Sequence, residues 1–376
     1  MTTRMSLTMT AKKRPIAAEN PEPTGLSLHT GYEKSRGLLY HYTSIDGFLG
    51  ILDSDCIRAT HIRYLNDSRE FVDALEHMGG LIDHLVIEFD RCKADLSRTI
   101  ASAGHQFSGE FDRLRDSLRA GLGEFIHSIS SPLSGRSGAY VVSFTDDSAA
   151  KSTAGGESGD RLSQWRAYGG LGRGVSLGFD QNTLYGEEPG KSWQIGGRIA
   201  YLLNCLYEEN DKRSALKSAA DILVPSFRKF WGTSGPTPGN SHKNEASLAE
   251  FRRNALLGWV INASTFKDPA FSEEKEWRVV ILGPGREPSK GRKKMLDSSV
   301  KFRSGPMGVT PYVQFPLGLS SRNSPLRRIV VGPTPHMEES VTAVEMVLED
   351  RGIKIRKEGC QAGIEVLPSR IPYRNW

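Results

Sequence analysis

The first regular pattern along the chain is a period-two alternation in Gly37-Leu-Leu-Tyr-His-Tyr-Thr43, which predicts a short strand with Leu39, His41 and Thr43 on one face. Ser44 follows as a helix-capping residue. Phe48, Ile51 and Leu52 then face a core from a short helix, and Cys56 to Thr60 reads as a second strand. Asp67 and Glu70 match a capping box ahead of Phe71, Leu75, Met78, Ile82 and Leu85 at helical spacing, and a second helical stretch covers about 109 to 129.

Ala139 to Phe144 reads as a buried strand, after which a polar loop of Asp, Ser, Ala and Gly between 146 and 160 is too long for a plain turn. Next come a short helix around Leu162 to Tyr168, a glycine cluster at 169 to 174, and a strand from Val175 to Phe179. A strand near Ile199 to Leu206 leads into helices at about 212 to 231 and 246 to 264. The last third returns to strands at Trp277 to Leu282 and Arg328 to Val331, a helix at about 338 to 350, and short strands near 353 to 355 and 364 to 367. No internal repeat and no clear linker interrupts this succession. The expected architecture is one α+β domain over residues 36–376, built on a mixed, mostly antiparallel sheet. Helical insertions are expected at about 66–130 and 210–265, and the unpatterned residues 1–35 read as a disordered leader.

Composition narrows the function classes. With 49 Lys and Arg against 44 Asp and Glu in 376 residues, the net charge of +5 suits phosphate binding but is milder than a dedicated nucleic-acid binder usually carries. Cys56, Cys92, Cys205 and Cys360 lie far apart, which speaks against both a zinc framework and a disulfide-stapled secreted fold. No run approaches the roughly 18 apolar residues of a membrane helix. The basic N-terminal residues have no apolar segment behind them, so the expected location is cytoplasmic.

Four motifs fail on context. Gly174-Val-Ser-Leu-Gly178 has the letters of a nucleophile elbow, but its serine lies inside a β-run rather than at a strand-to-helix turn. Gly190-Lys191-Ser192 is preceded by a glycine one residue too close for a phosphate loop. His77 and His84 have no third metal ligand beside them, and no metal is expected. His41-Tyr-Thr43 is half of a two-histidine phosphoesterase signature whose second half is missing.

Three regions carry chemistry. His41 and Thr43 can hydrogen-bond sugar hydroxyls beside a helix start that favours phosphate. Trp165 and Tyr168, three apart, can flank a planar ring; a core tryptophan at a glycine-stopped helix end explains the same residues. In Phe271-Ser-Glu-Glu-Lys-Glu-Trp-Arg278, an extended backbone puts Glu274, Glu276 and Arg278 on one face at the mouth of a buried strand. Two carboxylates beside a cation suit a reaction that builds positive charge on a sugar, while a salt bridge with solvated glutamates is the bland alternative.

The ordered set Tyr40-His-Tyr-Thr43, Leu65-Asn-Asp-x-x-Glu70, Ser143-Phe144, Trp165-x-x-Tyr168, Gly174 with Gly178-Phe179, Phe271-x-x-Glu274-x-Glu276-x-Arg278 and Ser369-Arg-Ile-Pro-Tyr-Arg374 resembles the bacterial family of domain of unknown function 2971. The resemblance runs from about residue 38 to the C-terminus. More loosely, the His-x-Thr strand, the mid-chain aromatics and the late Glu-x-Glu look like the ADP-ribosyltransferase pattern, including its DNA-modifying toxin branch. That likeness implies a split sheet and NAD as substrate. It places His41 and Thr43 on the adenosine-side ribose, Tyr168 or Trp165 on nicotinamide, Glu276 as the catalytic glutamate and Glu274 in acceptor chemistry; Asn66, Ser143 and Arg278 complete the pocket. The implied activity is transfer of ADP-ribose to nucleic acid or protein, in a toxin or phage-defence setting with an antitoxin or immunity partner unknown. A non-catalytic nucleotide or nucleic-acid sensor and a different nucleic-acid-acting enzyme, such as a nuclease, are the competing expectations.

Overall fold

A computed structural model describes residues 37–65, 87, 120, 139–147, 159–170, 173–185, 193–195, 198–218, 258, 260–282, 300–305, 308–356 and 362–372. The expected leader at 1–35, Asn66, the capping box and the helical insertion at about 66–130 lie outside these residues, apart from two isolated helical positions. Of the second expected insertion, the described stretches 209–218 and 260–263 are helical.

The chain builds one mixed, largely antiparallel sheet with helices, an α+β architecture. Its strands are β1 (Leu38–Thr43), β2 (Cys56–His61), β3 (Ala139–Asp146), β4 (Val175–Asp180), β5 (Trp193–Ile195), β6 (Arg198–Asn204), β7 (Glu276–Leu282), β8 (Lys301–Gly305), β9 (Gly308–Pro316), β10 (Leu326–Val331) and β11 (Glu365–Pro368). Helix α1 (Ile45–Ser54) follows β1. Helices α2 (Leu162–Ala167) and α3 (Gln181–Tyr185) flank β4. Among the described strands only β10 and β11 pair in parallel, as the helix Met337–Asp350 lies between them in sequence.

β3 is the strand on which the sheet forks. One of its edges pairs with β7 along its whole length, from Ala139 opposite Leu282 to Thr145 opposite Glu276. The other edge is shared: β2 takes the first part, at Tyr140 and Val141, while β1 takes the end, at Thr145 and Asp146. β1 continues into β4, β10 and β11, and β2 into β9 and β8. Because every second residue of β3 faces the same way, the fork also sorts the two layers of the core. Tyr140, Val142 and Phe144 join the main cluster with Leu39, Leu177, Trp277, Val279, Ile281, Val313, Phe315 and Ile329. On the other side Ala139 packs with Tyr201, Leu203, Ile261, Val280 and Leu282, and Tyr40, Tyr42, Trp165 and Val330 form a third cluster.

Ser44 caps α1 as its sequence predicts, its side chain accepting from the Gly47 amide at 3.1 Å. Ser176 lies inside β4 and is fully buried, so the serine of Gly174-Val-Ser-Leu-Gly178 is a strand residue. The hairpin of β8 and β9 went unread in the sequence. Pro306 and Pro311 interrupt its apolar pattern, and a proline in a paired strand normally argues against one.

The glycine cluster between α2 and β4 is needed for close approach. A Cβ on Gly174 would stand 2.0 Å from the Thr43 carbonyl oxygen and 2.9 Å from that of Gly169, both backbone atoms with no room to yield. Gly174→Ala is expected to lower stability by about 1–3 kcal/mol, the usual range for overpacking. Urea unfolding at neutral pH measures it, and an unchanged midpoint would contradict this packing.

Candidate functional site

The charged centre forms where β7 begins. Asp268 caps a 3₁₀ turn, Pro269–Glu274, by accepting from the Ala270 amide at 2.9 Å. Lys275 then adopts a left-handed conformation (φ 43°) that swings the chain into β7. Glu274 therefore does not lie on an extended strand with Glu276, as the alternation predicts, but approaches it from the preceding turn. The two carboxylates still meet, because both bind Lys267. Its ammonium lies 2.6 Å from Glu274 Oε2 and also donates to Glu276 Oε2.

Lys267 is delivered by a short backbone bridge. The Leu206 amide donates to Thr265 and the Lys267 amide to Leu206, at 2.8 and 3.0 Å, which ties the end of the helical stretch at 260–263 to the end of β6. Arg278, two residues along β7 and on the same face, donates to both Glu276 oxygens at 2.9 and 3.0 Å and to the Ser264 carbonyl at 2.9 Å. Tyr207 accepts the Glu276 amide hydrogen at 2.8 Å. At the outer end, the Tyr168 hydroxyl donates to Glu274 Oε1 at 3.2 Å. Lys267 and Tyr207 complete the centre, and neither was singled out from sequence; only the fold brings 207 and 267 beside 276.

Exposure falls steadily inward, from 38% for Tyr168 through side-chain values of 13% for Glu274 and 5% for Lys267 to 2% for Arg278. Burial alone would oppose ionisation of Glu276. The charges of Arg278 and Lys267 outweigh it and hold the carboxyl well below the usual carboxylate range. Glu276 is thus a fixed anion and a poor proton acceptor. Burial, with the Glu274 charge, pushes the Tyr168 hydroxyl up, so it stays protonated and donates. Glu274 is the carboxylate within reach of solvent.

The other predicted residues lie elsewhere. Tyr40 is opposite Thr145, and Thr145 opposite Glu276, so these three share a face and His41 points to the other one. There the His41 Nδ1–H donates to the Ser143 carbonyl at 3.0 Å, and the ring sits 5.9 Å from Phe144. Burial lowers its pKa, so a neutral imidazole fills the fork. Thr43 lies on the same side as His41 and against Gly47. The structure thus does not bring His41 and Thr43 to the carboxylates. Ser143 is opposite Arg278 and shares its face. Trp165 is completely enclosed, edge-on to Tyr42 at 4.8 Å with its indole N–H on Asp160 at 2.7 Å, and so offers no face to a planar ligand. Tyr168 ends α2 and turns out to Glu274, apart from Trp165.

Among the described residues no three His, Cys, Asp or Glu side chains converge as a metal site, and no helix is long and apolar enough to cross a membrane. What holds these charged groups together is a stretch from α2 to β7. Residues 164–279 match the family model described as Protein of unknown function (DUF2971). The DUF2971 match contains Tyr168, Tyr207, Lys267, Glu274, Glu276 and Arg278, and leaves β1 with His41 outside. No curated protein and no solved structure matches the chain.

Removing Glu276 leaves two buried cations facing one another. Glu276→Gln is expected to cost about 3–5 kcal/mol at pH 7, as breaking a buried ion pair does. The folded pKa of Glu276 lies below its unfolded value, so its contribution is complete above about pH 4.3 and fades as the pH falls below that. Urea titrations of both proteins across pH 2.5 to 7 should show the gap narrowing below about pH 4.3; a constant gap would contradict the pairing.

Proposed function

We propose that the chain transfers ADP-ribose from NAD to a macromolecular acceptor, nucleic acid or protein, with Glu274 at the reacting centre. The observation that carries this reading is a carboxylate near the surface, fixed in one orientation by Tyr168 and Lys267 and backed by a second, permanently ionised carboxylate. When the bond between ribose and nicotinamide breaks, nicotinamide leaves with the bonding pair and positive charge develops on the ribose. A preoriented anion a few ångströms away stabilises that charge without reorganising. The acceptor nucleophile then attacks the same carbon and gives its proton to Glu274, the one member of the pair not locked by two cations. Lys267 and Arg278 hold Glu276, and Glu276 holds Lys267 in place. Tyr168 steadies Glu274 and lends an aromatic edge to the mouth of the site. His41 and Thr43 have no part at this centre, so the adenosine-side contacts fall to other residues.

A second reading has an observation of its own. The four charged groups cancel, and each is hydrogen-bonded by its neighbours, which suits a site that binds NAD without cleaving it.

Glu274→Gln separates the two, since in Glu276→Gln any loss of activity is mixed with the loss of stability. Purified protein is incubated with NAD and a mixture of DNA, RNA and protein acceptors, and free nicotinamide and bound NAD are followed together. The transferase reading expects release that falls about 10²- to 10⁴-fold in Glu274→Gln, the usual contribution of a general base, with NAD affinity within a few-fold. NAD binding without release supports the sensor, and release that survives the substitution rules out Glu274 as the reacting group.

A further inference from the structure

The wing formed by β2, β9 and β8 presents a second chemistry. Thr60 is opposite Tyr312, Tyr312 opposite Lys301, Arg58 opposite Gln314, and Arg303 opposite Thr310, so these side chains share one face. The alternate residues Ile57, Ala59, Val313 and Phe315 are in the core, which puts the polar set on the opposite face, where Thr60 and Thr310 are buried and Arg58 and Lys301 reach solvent. The three strands contain no Asp or Glu. Arg58 and Lys301 are exposed, and neither they nor Arg303 makes an ion pair among the described residues.

Two features show that this face is arranged for an anion. The Arg303 guanidinium is partly desolvated, donating to Thr60 Oγ1 at 3.2 Å, while its Nε–H is buried with no hydrogen-bond partner. Arg58 stands near enough to weaken the protonation of Arg303 further, so two like charges share a site with no carboxylate between them. The Arg58 guanidinium also lies 5.6 Å from the centre of the Tyr312 ring, so cation and aromatic ring stand side by side on this face.

We propose that the outward face of β2, β9 and β8, carrying Arg58, Lys301, Arg303 and Tyr312, binds single-stranded nucleic acid. A flat sheet surface that pairs cations with a partly exposed aromatic ring fits a phosphodiester backbone with unstacked bases, whereas the grooves of a duplex need a protruding element. Through Thr60, Val141 and Val280 the register places this face on the same side of the sheet as Glu276 and Arg278. A strand lying across the wing is therefore on the side from which an acceptor would reach Glu274. The binding itself does not depend on the transferase reading and needs no NAD.

The test is fluorescence anisotropy of the full chain with labelled 20-nucleotide DNA and RNA single strands, a matching duplex, and anionic phospholipid vesicles as a competitor, over a series of salt concentrations. The expected result is single-strand binding that is at least about tenfold tighter than duplex binding. In the Arg58→Gln/Lys301→Gln/Arg303→Gln variant it weakens at least tenfold, and the slope of log affinity against log salt falls by about 2, near 0.7 per lost phosphate contact. Because Arg303 is partly buried, the exposed pair Arg58→Gln/Lys301→Gln is measured beside it and should lose about two-thirds of that slope. Tyr312→Ala is expected to weaken binding more than Tyr312→Phe, which keeps the ring. Absence of single-strand binding, equal binding of duplex, displacement by vesicles alone, or variants that bind like the parent would each overturn the proposal.

Discussion

A charge held inside a protein must be neutralised where it stands, and in this fold that requirement falls on Glu276. Its carboxylate is flush with the first residue of a strand that is buried from end to end. Arg278 meets it from the same strand, and Lys267 meets it from the far end of a helical stretch. Neither contact is optional, because an unpaired carboxylate or ammonium in such a place costs several kcal/mol. The same demand explains the neighbouring backbone. The bridge between Leu206 and Phe266 brings Lys267 in, and the left-handed Lys275 lets the chain leave the 3₁₀ turn at the right angle. Glu274 is then presented at the edge of a rigid, charge-balanced base, with Tyr168 fixing its outer oxygen.

The fork at β3 decides what that base can work with. β1 and β2 share one edge of β3 and part there, and the neutral His41 imidazole binds the Ser143 carbonyl between them. One residue of alternation separates His41 from Tyr40, and that single step puts the imidazole and the acidic couple on opposite faces. The chemistry proposed at Glu274 would therefore draw on residues of the α2-to-β7 stretch and on the wing that shares its face. His41 serves the fork itself, where its packing against Phe144 belongs to the main core.

Much of the fold was legible in the sequence, since β1, α1, β3, β4, β7, β10 and the last helix all announce themselves through period-two or helical spacing. The α+β class follows from that succession. The split of roles within the site was less legible. Glu274, Glu276, Arg278 and Tyr168 could be picked out because charged residues at the mouth of an apolar strand are unusual, yet Lys267 and Tyr207 look like ordinary polar positions until the tertiary structure folds them over Glu276. The separation of His41 from Glu276 was also hidden. Alternation fixes which neighbours within a strand share a face, but the register between distant strands comes from long-range pairing that local pattern does not contain. The hairpin of β8 and β9 was masked by its prolines, and with it the basic wing.

The central claim is spatial: the acidic face, and not the fork occupied by His41, is where the proposed donor is handled. A crystal structure of the protein with a non-hydrolysable NAD analogue tests this most directly. The account predicts the nicotinamide-side ribose within hydrogen-bond distance of Glu274, beside Tyr168 and on the face of Glu276. A dinucleotide lodged against His41 and Thr43 on the opposite face would contradict it.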